Sequence, residues 1–136
     1  MKKLLFILLC LPLFFYSCQT KTDPVDELFV VDRKDEKSTA KAILKAYAKK
    51  DINSLSELSH LGNKKIISEM IEEGEKHSRY NSIWGERYEA VKMWDGKTLE
   101  VVESNNDRSR VRFNKRKVVT LHFEDGKWCF EDIHNY

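Results

Sequence analysis

The chain has 136 residues, and 34% of them are charged, with 24 basic and 22 acidic side chains leaving a formal net charge of +2. A balance this close gives no strong field to recruit nucleic acid or an acidic substrate. The length suits one small domain with a real but limited core.

Residues 1–18 read MKKLLFILLCLPLFFYSC. Lys2 and Lys3 form a basic start, the stretch from Leu4 to Phe15 is apolar apart from Pro12, and the small Ser17 precedes Cys18. That order is the order of a secretory signal peptide. The apolar run falls short of the roughly 20 residues a membrane-spanning helix needs, and Pro12 disfavours a continuous span.

The ending FYSC resembles the lipobox of bacterial lipoproteins; Ser17 and Cys18 match it, while Phe15 and Tyr16 depart from it. The resemblance implies export, cleavage before Cys18 and a diacylglycerol thioether on that cysteine. Gln19, rather than Asp, follows Cys18, which favours the outer membrane within that resemblance. An ordinary signal peptide cut elsewhere is the alternative. Two or more acyl chains make a stable anchor, so the first expected partner is a membrane, reached through lipid on Cys18. Residues 1–17 are expected to be signal, 18–37 a lipidated terminus and tether, and 38–136 the folded domain.

The chain has three cysteines. Cys10 would leave with the signal and Cys18 would carry lipid, so Cys129 stands alone and no internal disulfide is expected. Residues 19–37 are polar and acidic, with Pro24 early, as in an extended linker. Leu28, Phe29, Val30 and Val31 interrupt it as an edge strand, a plug against the domain, or an unstructured sticky patch.

Ser38 stands in the place of an N-cap before a helical pattern, Ala40, Ile43, Ala46 and Tyr47, with Lys41, Lys45, Lys49 and Lys50 opposite. Asp51 and Asn53 suit the cap of a short second helix carrying Ile52, Leu55 and Leu58. Gly62 is expected to end it, and Asn63 to cap a third helix with Ile66, Ile67, Met70 and Ile71 on one side. Glu69, Glu72, Glu73 and Glu75 fall on its exposed face, and His60 and His77 lack metal-ligand spacing. No metal site and no cofactor are expected.

After Tyr80, β-branched and aromatic residues predict strands. Residues 87–94 and 98–104 flank Asp95-Gly96 as a hairpin, in either of two registers. Asn105 to Asp107 is the next turn. Arg108, Arg110 and Arg112 then alternate with Ser109, Val111 and Phe113, which puts the arginines on one face. Lys115, Arg116 and Lys117 continue the charge. This stripe is either a solvated, edge-protecting face or a surface for anionic headgroups or polysaccharide.

The last hairpin, residues 118–124 and 127–133 about Asp125-Gly126, predicts the pairs Phe123 with Trp128, Leu121 with Phe130, Glu124 with Lys127, and His122 with Cys129. On that register Asp132 and His134 share the face of Trp128 and Phe130 and are candidates for an acid–base pair at a cavity rim. Cys129 across from His122 is a candidate nucleophile, with no third orienting group evident.

Helices followed by antiparallel strands make an α+β chain of segregated layers. The residues Ala40 to Asp51 with Leu55 and Leu58, and the closing LHFEDGKWCFEDI, resemble nuclear transport factor 2-like, or cystatin-like, domains. The resemblance implies N-terminal helices packed on a curved antiparallel sheet, a cone whose interior pocket would be lined here by Tyr47, Trp128 and Phe130. It does not choose a function, because that fold hosts enzymes and binding modules alike. The expected function is a lipid-anchored envelope protein, probing a small apolar ligand or an envelope protein without catalysis. The alternatives are a cyclase-, isomerase- or hydrolase-like enzyme using Asp132 and His134, and an assembly module that forms a homodimer through its sheet. Nucleic acid is not an expected partner.

Overall fold

Asp35 opens the first helix. In the computed structural model, which describes residues 31–136, its carboxylate accepts from Ser38 N at 2.6 Å, and α1 runs Glu36–Ala48. Ser38 is thus the receiver of the cap, not the cap. Residues 1–30, with the expected signal, Cys18 and the apolar Leu28 to Val30, lie outside the described residues. Ala40, Ile43 and Tyr47 are fully buried on the face their spacing predicted.

Asp51 caps α2 (Ile52–Leu58) by accepting from Ser54 N at 3.0 Å. The Ser54 hydroxyl and backbone hydrogen bonds hold its carboxyl below the usual range. The helix ends at Ser59 rather than Gly62. Ser59 turns extended and bridges Phe130, and His60 N donates to Phe130 O at 3.1 Å.

α3 (Leu61–Glu73) then starts before the expected Asn63, because the His60 ring serves as its cap and accepts from Gly62 N at 3.1 Å. Gly62 belongs inside this first turn: a Cβ there would lie 2.8 Å from His60 Cε1. Ile67 and Met70 are buried, whereas Ile71 is 43% exposed.

The expected strand at residues 87–94 is helical. A π-helical turn at Asn81–Gly85 leads into α4 (Glu86–Lys92). Ile83, Trp84, Ala90 and Val91 are buried, and the spacing of Trp84, Val91 and half-buried Tyr88 is helical. Asp95-Gly96 is therefore a loop rather than a hairpin, and both registers proposed for it fall. Asp95 accepts from Lys97 N at 2.8 Å and Thr98 N at 2.7 Å, while Gly96 takes φ +78°.

The sheet has four antiparallel strands in the order β1 (Glu100–Ser104), β2 (Arg108–Arg112), β3 (Lys117–Glu124) and β4 (Lys127–Asn135). It is curved and open, giving an α+β fold with the helices against the sheet. Asn105 makes the β1–β2 turn by accepting from Arg108 N at 2.8 Å. Asp125 (φ 52°) and Gly126 (φ 74°) make the two-residue β3–β4 turn, whose twist fits a hairpin. Its first pairs are those predicted: Glu124 with Lys127, Phe123 with Trp128, His122 with Cys129, Leu121 with Phe130.

Beyond them lies a bulge. Thr120 pairs with Asp132, so Glu131 is the extra residue and the alternation shifts by one.

The core sits between sheet and helices. Tyr47 stacks on Trp84 with centroids 5.2 Å apart and meets Phe130 edge-on at 5.9 Å. Ile43, Leu44, Leu55, Val111, Phe113 and Leu121 fill the space around them. Each such side chain stabilises the fold by about 1.5–3 kcal/mol through burial.

Candidate functional site

The bulge decides where Asp132 and His134 stand. They pair with Thr120 and Val118, the alternation of His122 and Cys129, and not with the Trp128–Phe130 face as expected. Arg108, Arg110 and Arg112 pair with His122, Thr120 and Val118, so the same face carries them. Asp132 and His134 do come together, with Nδ1 3.8 Å from the carboxylate, and Thr120 Oγ1 lies 3.5 Å from the same nitrogen.

The carboxylate has other partners, however. It is bonded to Arg87 of α4 and accepts from Ile133 N at 2.7 Å. The cleft beside it, about 230 Å³, is lined by Ser82, Glu86, Arg87, Lys117 and Asp132.

The three residues expected to line an interior pocket are buried. Tyr47 and Phe130 have no exposed surface and Trp128 has 7%; none of them lines the surface clefts of about 220 to 560 Å³ around the described residues. The Tyr47 hydroxyl donates to Ile83 O at 3.0 Å. Burial drives its pKa well up against the opposing pull of Arg87. These three residues are core, not lining.

Cys129 faces His122 in the ladder, as predicted, but its immediate polar neighbour is Arg33. Arg33 Nη2 lies 3.0 Å from Sγ, and the same guanidinium donates to Trp128 O at 3.0 Å and Leu58 O at 3.2 Å. Trp128 N returns a bond to Arg33 O at 2.8 Å. The thiol is 1% exposed, and burial pushes its pKa up more than Arg33 lowers it. A buried thiol held in that form is a poor nucleophile. His122 lies instead against His60, with ring centroids 6.1 Å apart.

Arg33 also shortens the expected tether, since residues 31–37 are already stitched to the domain. No local pattern flags it, because its partners lie about 25 and 95 positions away in the chain. Arg87 was hidden by the misread strand; the helical spacing around it was its only signal.

The arginine stripe is neutralised on its own face. Arg110 pairs with Glu103 at 2.9 Å, Arg112 with Glu100 at 2.5 Å, and Arg108 with Glu131 at 2.5 Å. Glu69 lies 3.6 Å from His77, and no group of three or more His, Cys, Asp or Glu side chains suited to a metal occurs among the described residues. No helix among them is long and apolar enough to cross a membrane. No family model matches the chain, and neither the curated proteins nor the solved structures gave a match.

Proposed function

We propose that this chain is a lipid-anchored protein of a bacterial cell envelope, tethered through Cys18. Its folded part, a nuclear transport factor 2-like cone in this reading, is a non-enzymatic binding module. The single observation that carries the non-enzymatic part is the filled interior: Tyr47, Phe113 and Phe130 occupy, at 0–1% exposure, the space a substrate would need. A buried active site needs a pocket with convergent polar groups. Asp132 and His134 stand outside the core, and Cys129 is sealed within the sheet.

The partner is accordingly an envelope component met at the surface, in preference to an apolar ligand held inside. The Arg–Glu ladder counts against a homodimer packed through the outer sheet face, since its exposed part is charged and internally paired.

Labelled palmitate fed to expressing bacteria tests the anchor: the wild type takes it up, and Cys18→Ala does not and moves to the soluble fraction. Membrane retention of the variant with normal processing removes this reading. Native mass spectrometry of the purified protein tests the module. A co-purified apolar molecule, or turnover of any substrate that Asp132→Asn abolishes, overturns the non-enzymatic assignment.

A further inference from the structure

We propose that the end of the molecule built from the α4–β1 loop and the β2–β3 turn docks on an anionic phospholipid surface. This inference rests on the lipid anchor proposed above and adds an orientation to it.

Two sets of cations differ. On the outer sheet face Arg108, Arg110 and Arg112 are each bonded to a glutamate. At one end of the sheet a groove of about 540 Å³ is lined by Arg112, which is already bonded to Glu100, and by Met93, Asp95, Thr98, Phe113 and Lys115. Lys97, Lys115 and Arg116 are exposed there and Lys117 is half-buried. None of the four joins an ion pair among the described residues. The carboxylate that lines the groove, Asp95, is turned onto its own loop, where Lys97 N and Thr98 N occupy it.

Two large apolar side chains stand out at the same end, Met93 at 66% and Tyr136 at 62% exposure. Tyr136 N donates to Arg116 O at 2.8 Å, and its ring covers the Arg112 guanidinium at 5.6 Å. Basic side chains ringing an exposed aromatic and a thioether have the composition of an interfacial contact, charge at the headgroups and apolar groups just beneath. A polysaccharide would match the charge and offer nothing to Met93. The opposite end of β3 is mixed in charge: exposed Leu61 and Phe123 lie with Glu124, Asp125 and Asp107, while Lys127 stands across from Glu124 and Arg33 beside Trp128.

Reach permits this orientation. Arg33 is fixed beside Trp128, at the far end of β3, and that strand spans only about 25 Å. A chain from Cys18 to Arg33 extends to at most about 50 Å, so either end of the domain can reach the bilayer, and the cations outside ion pairs together with Met93 and Tyr136 favour this one. Four basic contacts give about a thousandfold surface preference. That is too little to hold an untethered domain and ample for one tethered at roughly millimolar effective concentration.

The test uses the full-length protein, lipidated by its own signal, purified and reconstituted into vesicles of phosphatidylcholine with or without phosphatidylglycerol. It carries Met93→Cys labelled with an environment-sensitive fluorophore, and the unlabelled parent shows that Cys129 takes no dye. The expected result is a blue-shifted emission only with phosphatidylglycerol, lost in Lys97→Ala/Lys115→Ala/Arg116→Ala and lost as salt is raised, a second readout that needs no variant. Equal emission from both vesicles, or a shift that survives both the triple variant and salt, overturns docking while leaving the anchor standing. The same shift on adding dextran sulfate to phosphatidylcholine vesicles overturns phospholipid in favour of polysaccharide. Protein that floats with neither vesicle removes the anchor, and docking falls with it because the surface alone is too weak.

Discussion

Cys129 sits between two opposed influences. The Arg33 guanidinium at 3.0 Å favours a thiolate, and burial disfavours it; burial wins, so the pKa lies above the usual thiol value. Native protein should therefore react with Ellman's reagent at pH 8 at least about a hundredfold more slowly than denatured protein. Arg33→Ala should open the thiol and lower stability by about 1–3 kcal/mol, because Trp128 O and Leu58 O lose their donor. Urea unfolding and the thiol rate measure the two effects, and an unchanged thiol rate would separate Arg33 from the protection of Cys129.

At Asp95 the Thr98 hydroxyl and the Thr98 and Lys97 amides hold the carboxyl at about 2. Its folded value lies below its unfolded one, so the contribution is complete above about pH 4 and is lost as pH falls through about 2. Amide resonances of Lys97 and Thr98 should titrate in that window, and Asp95→Asn should remove the titration. Midpoints near pH 4 would show that these bonds do not form in solution.

At the scale of elements, the last hairpin was legible because turn chemistry and alternation agree there. Asp125 and Gly126 both adopt positive φ, and four pairs follow from the turn alone. Gly126→Ala, at φ 74°, should cost about 1–2 kcal/mol, read as a fall in thermal midpoint; a gain in stability would contradict the turn geometry. The bulge at Glu131 left no sequence signal, since it answers to Arg108 across the sheet and to Asn63 reaching Glu131 O at 2.6 Å. That one residue moved Asp132 and His134 to the other face.

Asp95-Gly96 misled for the opposite reason: its dipeptide is a good hairpin turn, but the residues before it obey a helical period. Trp84 and Val91 bury against α1, and packing overrode the strand-like composition of residues 87–94. The caps show a milder form of the same limit. Asp35 and His60 do work that Ser38 and Asn63 were expected to do, each three residues further along.

For the molecule as a whole, the decisive property is a solid centre. Phe130→Ala should cost about 3–5 kcal/mol and leave a dry hollow beside Tyr47. The variant should then bind a small apolar probe such as benzene, as measured by calorimetry, while the native protein binds none. Uptake by the native protein would restore the interior-pocket reading.

Arg33 adds a mechanical property. A pull on the chain ahead of Val31 is not delivered first to α1. It meets the clasp in which Arg33 holds the carbonyl ends of α2 and the first residues of β4. That clasp is a few polar bonds at the sheet margin, backed by the half-buried Val31 against the core, and such bonds yield one after another when peeled. Tension would release residues 31–35 as slack while Tyr47 and its neighbours stay packed. The domain therefore carries a short extensible lead, a strain relief between whatever holds its N-terminal side and the folded body.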